Sequence, residues 1–480
     1  MDFASFRHLA RSCVCPLAPV SHRAVGLLFL LLALALLTSA LAAQTVHETR
    51  LENGLKVLIK PDRRAPSVVQ LLAYRVGSVD EHDGITGISH LLEHMMFKGT
   101  PTVASGEFSR RVSAAGGRDN AFTSRDYTGY FQMVPSSKLS EMMALEADRM
   151  SHLVLSEKEF ATEREVVIEE RRLRTEDRAR ALVSEQLMAT AFVASPYRHP
   201  IVGWMSDLET MTLADLETWY RKWYSPGNAT LVIVGDVDPE EALKLARQHY
   251  GPIGARPIPQ RKPRVEPAQR GPREAVVRAP AETPYLLMAF KVPSLDRIDG
   301  DIDPFALEML AAVLSGDDNA RFARRLVRGT RVADQAFASY GMTGRGPALF
   351  MLGGAPARGQ TVAALRTALI AQIREIAQQG VEPAELERLR IQYVASRVFQ
   401  RDSLMAQAME LAGLEMVGLG WQAADRMLDR IRGIEPEQVR EVARRLFDED
   451  TLTFVTLDPQ PIAPRRPGVG SAAAQPNARH

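Results

Sequence analysis

The feature that most restricts this fold is a recurring order of apolar strands and helices on either side of residues 251–273. That stretch is dense in proline, arginine and glycine, shows no apolar period and reads as a linker. Before it, 46–51 and 55–59 flank Glu52-Asn53-Gly54, a strong hairpin signal. A strand is expected at 68–76, a helix at 85–98 closed by Gly99 and Pro101, and a strand at 129–134. Helices are expected at 137–152, 157–194 and 213–223, then an apolar strand at 229–234 and a helix from Pro239. Beyond the linker the order recurs in outline: strand 285–290, helix 304–314, strand 349–353, helices 361–379 and 383–399, and strand 452–457. Two halves of similar order suggest an internal duplication.

The N-terminus stands apart from this pattern. Arg7, Arg11 and Arg23 precede an apolar run over 24–37, which ends in Thr38-Ser39-Ala40-Leu41-Ala42-Ala43. A basic start, a short apolar run and an A-x-A-like site describe a secretory signal peptide. The competing reading is an uncleaved membrane anchor, for which the run is short. Removing 1–42 takes away three Arg and one Asp, so a formal charge of +1 becomes −1. A near-neutral chain without a basic block gives no support for nucleic-acid binding. Cys13 and Cys15 leave with the signal, so neither disulfides nor cysteine catalysis is available to the mature chain. The expected organisation is a signal segment (1–43), a first domain (44–255), a linker (256–280), a second domain (281–460) and a disordered tail (461–480).

Chemistry concentrates in His90-Leu91-Leu92-Glu93-His94. On a helix His90, Glu93, His94 and Phe97 form one stripe, and Ile88, Leu91, Leu92 and Met95 form the adjacent apolar one. Two imidazoles one turn apart can face one cation, with the glutamate between them close to a metal-bound water. Two histidines on a helix face also suit a plain hydrogen-bonding role, although the H-x-x-E-H order is that of inverted zincins. A further stripe, Glu163, Val166, Val167 and Glu170, places carboxylates on an apolar face, where a cation would compensate them. Its competing reading is a solvated face in a run rich in Glu and Arg.

These motifs together resemble the pitrilysin/insulinase family, which includes the mitochondrial processing peptidase. Glu170 lies 76 positions beyond His94, as the family's third zinc ligand does, and Glu163 matches its supporting glutamate. Leu51-Glu52-Asn53-Gly54-Leu55, Gly87-Ile88-Ser89, Phe97-Lys98-Gly99-Thr100, Asn120-Ala121-Phe122-Thr123 with Asp126 and Tyr130, and Tyr224-Ser225-Pro226-Gly227-Asn228 agree as well. The match is dense over 46–251 and thin afterwards. The resemblance implies an α+β fold of two homologous α/β sandwich halves, each an antiparallel sheet packed by helices, around a peptide-sized chamber. It implies one zinc ion per chain on His90, His94 and Glu170, Glu93 as general base, and Glu163 orienting a ligand. It also implies that Asn120 and Ala121 pair with extended substrate.

The second half departs from the family. Where relatives supply an arginine and a tyrosine seven residues apart, alignment on Arg321-Phe322-Ala323-Arg324-Arg325-Leu326 puts Val327 and Asp334, and Arg328, Arg331 and Tyr340 miss the spacing. After His249 the only histidine is His480, so the second half is expected to be inactive. The expectation is an exported zinc metalloendopeptidase, periplasmic in a Gram-negative bacterium and membrane-tethered only if the N-terminal segment stays uncut. It would be the zinc-bearing subunit beside a homologous partner that supplies the Arg/Tyr pair, with a homodimer as the other arrangement. The alternative is a non-catalytic scaffold subunit of the same fold. Paired Glu-x-x-His helices of a di-iron site are absent from the sequence.

Overall fold

Val46 opens the described chain, which the computed structural model follows to residue 462. The expected signal segment and all but the first two residues of the expected tail therefore lie outside the described residues. Among the described residues no helix is long and apolar enough to cross a membrane.

The Asn-Gly turn joins β1 (His47–Arg50) to β2 (Lys56–Pro61) in antiparallel register, with His47 opposite Ile59. Asn53 ties this turn to the far side of its half, donating to the carbonyls of Tyr250 (2.7 Å) and Ile253 (3.0 Å). Then follow β3 (Ser67–Tyr74), α1 (Ile88–Met95), α2 (Glu107–Ala114), β4 (Arg118–Thr123), β5 (Thr128–Pro135) and α3 (Leu139–His152). Next come α4 (Glu157–Arg171), α5 (Ala179–Ala191), α6 (Met205–Thr210), α7 (Leu213–Trp223), β6 (Ala229–Gly235) and α8 (Pro239–Tyr250). The first sheet has the order β1-β2-β6-β3-β5-β4.

The second half repeats the plan: β7 (Arg273–Pro280), β8 (Tyr285–Val292), α9 (Asp303–Ser315), β9 (Ala333–Tyr340) and β10 (Ala348–Pro356). It continues with α10 (Val362–Gln379), α11 (Pro383–Gln400), α12 (Leu404–Val417), α13 (Ala423–Arg432), α14 (Pro436–Arg445) and β11 (Leu452–Gln460). Its sheet runs β7-β11-β8-β10-β9, the order of the first sheet without β1. Neither sheet is purely antiparallel as expected. Each carries one parallel pair, β2 with β6 and β7 with β11, because the long intervening chain supplies the crossover such a pair needs.

Period-2 alternation sends Val57, Ile59, Val68, Leu72, Leu231 and Ile233 to one face of the first sheet, where the helices of that half cover them. The other face shows Leu58, Val69, Leu71, Ala73, Val232 and Val234, and the cover there is α12, from the second half. Leu404, Ala408, Leu411, Ala412 and Met416 of α12 are all buried against it. The exchange is reciprocal. Val183, Leu187 and Ala191 of α5 pack on Tyr285, Leu287, Ala289, Val455 and Leu457 of the second sheet. A strand buried on both faces reads as continuous apolar sequence, which is why 229–234 stands out.

Two segments differ from expectation. The helix expected over 157–194 is two helices, α4 and α5, separated by a π-type turn at Arg172–Glu176. Here α4 stays with the first half while α5 leaves it for the second sheet, so the chain must break direction. Residues 273–280 of the expected linker form β7, pairing along β11 from Arg273 opposite Thr453 to Pro280 opposite Gln460. An exposed Val276 and an inward Arg273 interrupt the polar–apolar alternation and hide the strand period.

Candidate metal centre

Helix α1 is positioned by its first residues. Gly87 caps it in the left-handed region (φ 87°), and a Cβ there would lie 2.4 Å from the Val202 carbonyl oxygen. Glycine alone fits without strain. Glu81, wholly buried, accepts the N–H groups of Gly87 (2.8 Å) and Ser89 (2.9 Å), satisfying helix-start donors and complementing the dipole. Ile88, Leu91, Leu92 and Met95 are fully buried, so the helix is locked in rotation with His90, Glu93 and His94 turned to α4. On α4, Val167 is buried and Val166 is 39% exposed, so the apolar face between Glu163 and Glu170 is narrower than the sequence suggests.

His90 Nε2 and His94 Nε2 lie 3.8 and 3.5 Å from Glu170 Oε2. One ligand atom from each of the three falls within 4.8 Å of the others, a spacing one cation can bridge. Their side chains are 11–15% exposed, so the group is shielded yet reachable. Glu163 Oε2 lies 3.1 Å from His94 Nδ1. An ionised carboxylate only accepts, so Nδ1 carries a proton and the ring is held with Nε2 directed at Glu170. Lys98 Nζ, 2.7 Å from Glu163 Oε1, steadies that carboxylate in turn. The other oxygen of Glu170 pairs with Arg174. His90 Nδ1 is buried without a hydrogen-bond partner among the described residues. Two imidazoles and a carboxylate, neither buried in apolar matter nor exposed, form a donor set that suits zinc.

Proton affinities separate the groups. Burial, followed by the charge of His94, takes His90 down to about 4. Burial also pulls on His94, but hydrogen bonds to Glu163 and Glu170 outweigh it and hold that ring up at about 9. Burial pushes Glu170 up, and the His94 hydrogen bond with the His90 and Arg174 charges overrides it, leaving about 2. Glu93 goes the other way: burial raises it, against a hydrogen bond from Thr123. Thr123 Oγ1 donates to Glu93 Oε2 at 2.6 Å, so a residue on β4 sets the rotamer of a carboxylate on α1.

That strand is the edge of the first sheet, with Asn120 opposite Phe131 and Ala121 opposite Tyr130 on β5. The Ala121 N–H is closed by Asn120 Oδ1 at 2.8 Å. Asn120 and Ala121 sit on the same strand as Thr123, and on the side away from β5 no described strand pairs with them.

In the second half, Val327 packs partly buried against the local core and Asp334 is exposed on β9. The Tyr340 hydroxyl donates to the Pro293 carbonyl (2.5 Å), and Arg321 and Arg325 pair with Glu385 and Glu375. The sequence alone assigns no role to Thr123, Lys98 or Arg174. Lys98 lies four residues after His94, just past the end of α1.

A scaffold of two matched sheet-and-helix halves, with an H-x-x-E-H helix facing a glutamate on a second helix, defines the inverted-zincin class of site. Residues 56–203 match the family described as Insulinase (Peptidase family M16), and 210–393 match the one described as Peptidase M16 inactive domain. The chain belongs to the insulinase, or M16, peptidase family. It is 32% identical over 425 residues to the zinc protease PqqE of Helicobacter pylori, covering 86% of this chain and 93% of that one. The crystal structure of a protease from Helicobacter pylori superposes with a TM-score of 0.82 at 28% identity, covering 87% of this chain and all of that one. The fold also resembles the periplasmic protease PqqL of Escherichia coli (TM-score 0.73, 21% identity), of which this chain spans 48%.

Proposed function

We propose that this chain is a zinc metalloendopeptidase that hydrolyses peptides or unstructured proteins, acting as the zinc-bearing subunit of a heterodimer. The observation that carries the reading is the convergence of His90, His94 and Glu170 with the carboxylate of Glu93 held beside them by Thr123. Zinc, when bound, would polarise the scissile carbonyl and acidify water. Glu93 would take the proton from the attacking water and pass it to the departing amide nitrogen. Burial raises the proton affinity of Glu93, which suits a group that must both accept and release a proton. Asn120 and Ala121 would hold substrate as an added strand, and Glu163 with Lys98 would keep the His94 ring aligned.

The first half would be the metal-binding domain and the second its inactive homologue. The arginine and tyrosine that relatives use against substrate would come from a homologous partner, because Val327 and Asp334 occupy their places here. A chain spanning about half of a longer protein of the same fold suits that arrangement. Export to the periplasm would rest on the basic start, apolar run and A-x-A-like site of residues 1–43.

The test is zinc content together with digestion of an unstructured peptide, by this chain alone and mixed with a homologous M16 subunit. One zinc per chain is expected, with hydrolysis only in the mixture. A zinc-free chain would sink the metal site, and full activity alone would sink the heterodimer. Zinc binding without hydrolysis under either condition would favour a scaffold.

A further inference from the structure

Helix α12 leaves one end of the first sheet uncovered. Its contact with Leu58, Leu71 and Val232 ends near Met416, and Gly418 turns the chain away in the left-handed region (φ 94°). In the next row of that sheet face Arg50 lies opposite Lys56, and Lys56 opposite Thr230. An open cavity of about 260 Å3 begins there, lined by these three residues together with Arg75, Arg261 and Glu415. It belongs to neither the metal centre nor the edge strand β4.

Its positive charge is incompletely matched. Lys56 lies 2.8 Å from both Glu48 and Glu415, and Arg261 lies 2.6 Å from Asp80, which also takes Arg345. Arg75 gives its Nε to the Met416 carbonyl (2.9 Å) and Arg50 gives Nη1 to the Gly54 carbonyl (2.8 Å). Among the described residues neither has a carboxylate within ion-pair distance. Burial, then the charges of Arg345 and Arg261, hold the Arg75 guanidinium below its ordinary value. These cations are anchored on strand ends, on the linker and against the end of a helix, so they cannot simply splay apart.

We propose that this recess is a binding site for a phosphate-class oxyanion, either a free di- or triphosphate or a phosphate head group. Arg50 and Arg75 would grip it beside Thr230, while Lys56 offsets the Glu415 carboxylate that shares the recess. Guanidinium forks match phosphate oxygens in pairs. The cavity has room for roughly nine waters, which suits more than one phosphoryl group. The site joins the first sheet, the linker and α12, so an occupant would touch both halves at once.

Calorimetric titration of the full chain with tripolyphosphate at low ionic strength tests the site. Saturable one-to-one binding is expected, weakened at least ten-fold by Arg75→Gln and by Arg50→Gln. Arg50 is exposed, so its replacement leaves the fold intact even if Arg75→Gln does not. Arg374→Gln, exposed in the second half and paired with Glu449, should bind as the parent does. A His94→Ala variant should also bind normally, which separates the recess from chelation of zinc and keeps this result independent of peptidase activity. Co-sedimentation with phosphatidylglycerol but not phosphatidylcholine vesicles, reversed by tripolyphosphate, would assign the phosphate to a lipid. Tripolyphosphate binding without vesicle binding would assign it to a soluble molecule. Failure to bind either one, or unchanged affinity in both arginine variants, overturns the proposal.

Discussion

The two halves share a strand order and helix placement, yet differ at the same point of the plan. In the first half, α1 follows β3 and faces α4, and between them lie His90, Glu93, His94, Glu163 and Glu170. In the second, α9 follows β8 and packs on α11, and the groups between them are Glu308, Tyr393 and Arg397. Arg397 donates to the Tyr393 hydroxyl at 3.2 Å, and Glu308 is raised by burial while the Arg397 charge opposes that rise. The second cluster contains its own cation. In the first, Lys98 and Arg174 pair with the outer oxygens of Glu163 and Glu170, and one ligand atom each of His90, His94 and Glu170 points at a common space that suits a metal ion. One backbone plan therefore carries either a self-neutralised polar contact or a set of groups that could hold a metal ion, and a few side chains decide which.

Substitutions can break that comparison outright. Glu93→Gln should keep zinc and lower peptide hydrolysis by about a thousand-fold, as expected for loss of a general base. His94→Ala should lose both zinc and hydrolysis. The matching change in the other half, Glu308→Gln, should leave kcat within about two-fold. A large loss there would show that the second cluster takes part in the chemistry.

A smaller effect sharpens what distinguishes the first cluster. Thr123→Val removes the 2.6 Å hydrogen bond to Glu93. It should lower kcat by roughly ten-fold with zinc content and KM nearly unchanged, and Thr123→Ser should restore most of the rate. Equal losses in the Val and Ser variants would mean that Thr123 acts only through packing.

The shared architecture is testable through the exchanged helices. Leu411 of α12 is buried on the first sheet and Leu187 of α5 on the second. Leu411→Ala and Leu187→Ala should each cost about 3 kcal/mol. Calorimetry should show both halves unfolding in one transition. Two separate transitions would show that the halves are stable apart.

The mildest prediction concerns the joint that holds α12 in place. Asp62 is lowered from 3.8 to about 2, first by hydrogen bonds from Arg64 and against burial, with Gln407 of α12 assisting. Its folded value lies below its unfolded one, so its stabilisation is complete above about pH 4 and fades as the pH falls toward 2. Arg64 is half exposed and screened by solvent, so the contribution is about 1 kcal/mol. Asp62→Asn should therefore destabilise at neutral pH and flatten the acid limb of a stability-versus-pH curve. An unchanged acid limb would place the effect elsewhere.

Much of the metal site was legible because it depends on local helical geometry. The i, i+3, i+4 spacing of His90, Glu93 and His94 requires no knowledge of the rest of the fold, and Glu170 was reached through a family-like interval. Thr123 was not assigned a role, because its contact with Glu93 depends on β4 lying beside α1. Strands such as β6 and β8 were legible from apolar runs, whereas β7 was hidden because Val276 lies on its open face and Arg273 on its inner one, which breaks the alternation. The break between α4 and α5 left no local mark either. Arg172-Leu173-Arg174-Thr175-Glu176 contains no proline or glycine, and what ends α4 is the distant sheet that α5 must cover. An apolar helix face announces that it will be buried, but not against which partner.

The reciprocal placement of α5 and α12 has a bearing on ancestry. A solitary copy of either half would present a bare apolar sheet face and a helix with nothing to rest on. Two such copies could satisfy each other by trading that helix, as domain-swapped dimers do. A gene duplication joining those copies through the 251–272 segment would then have tied an existing pair into one chain. After such a fusion the two halves could diverge at the same point of the plan, one carrying His90 and His94 and the other Glu308, Tyr393 and Arg397.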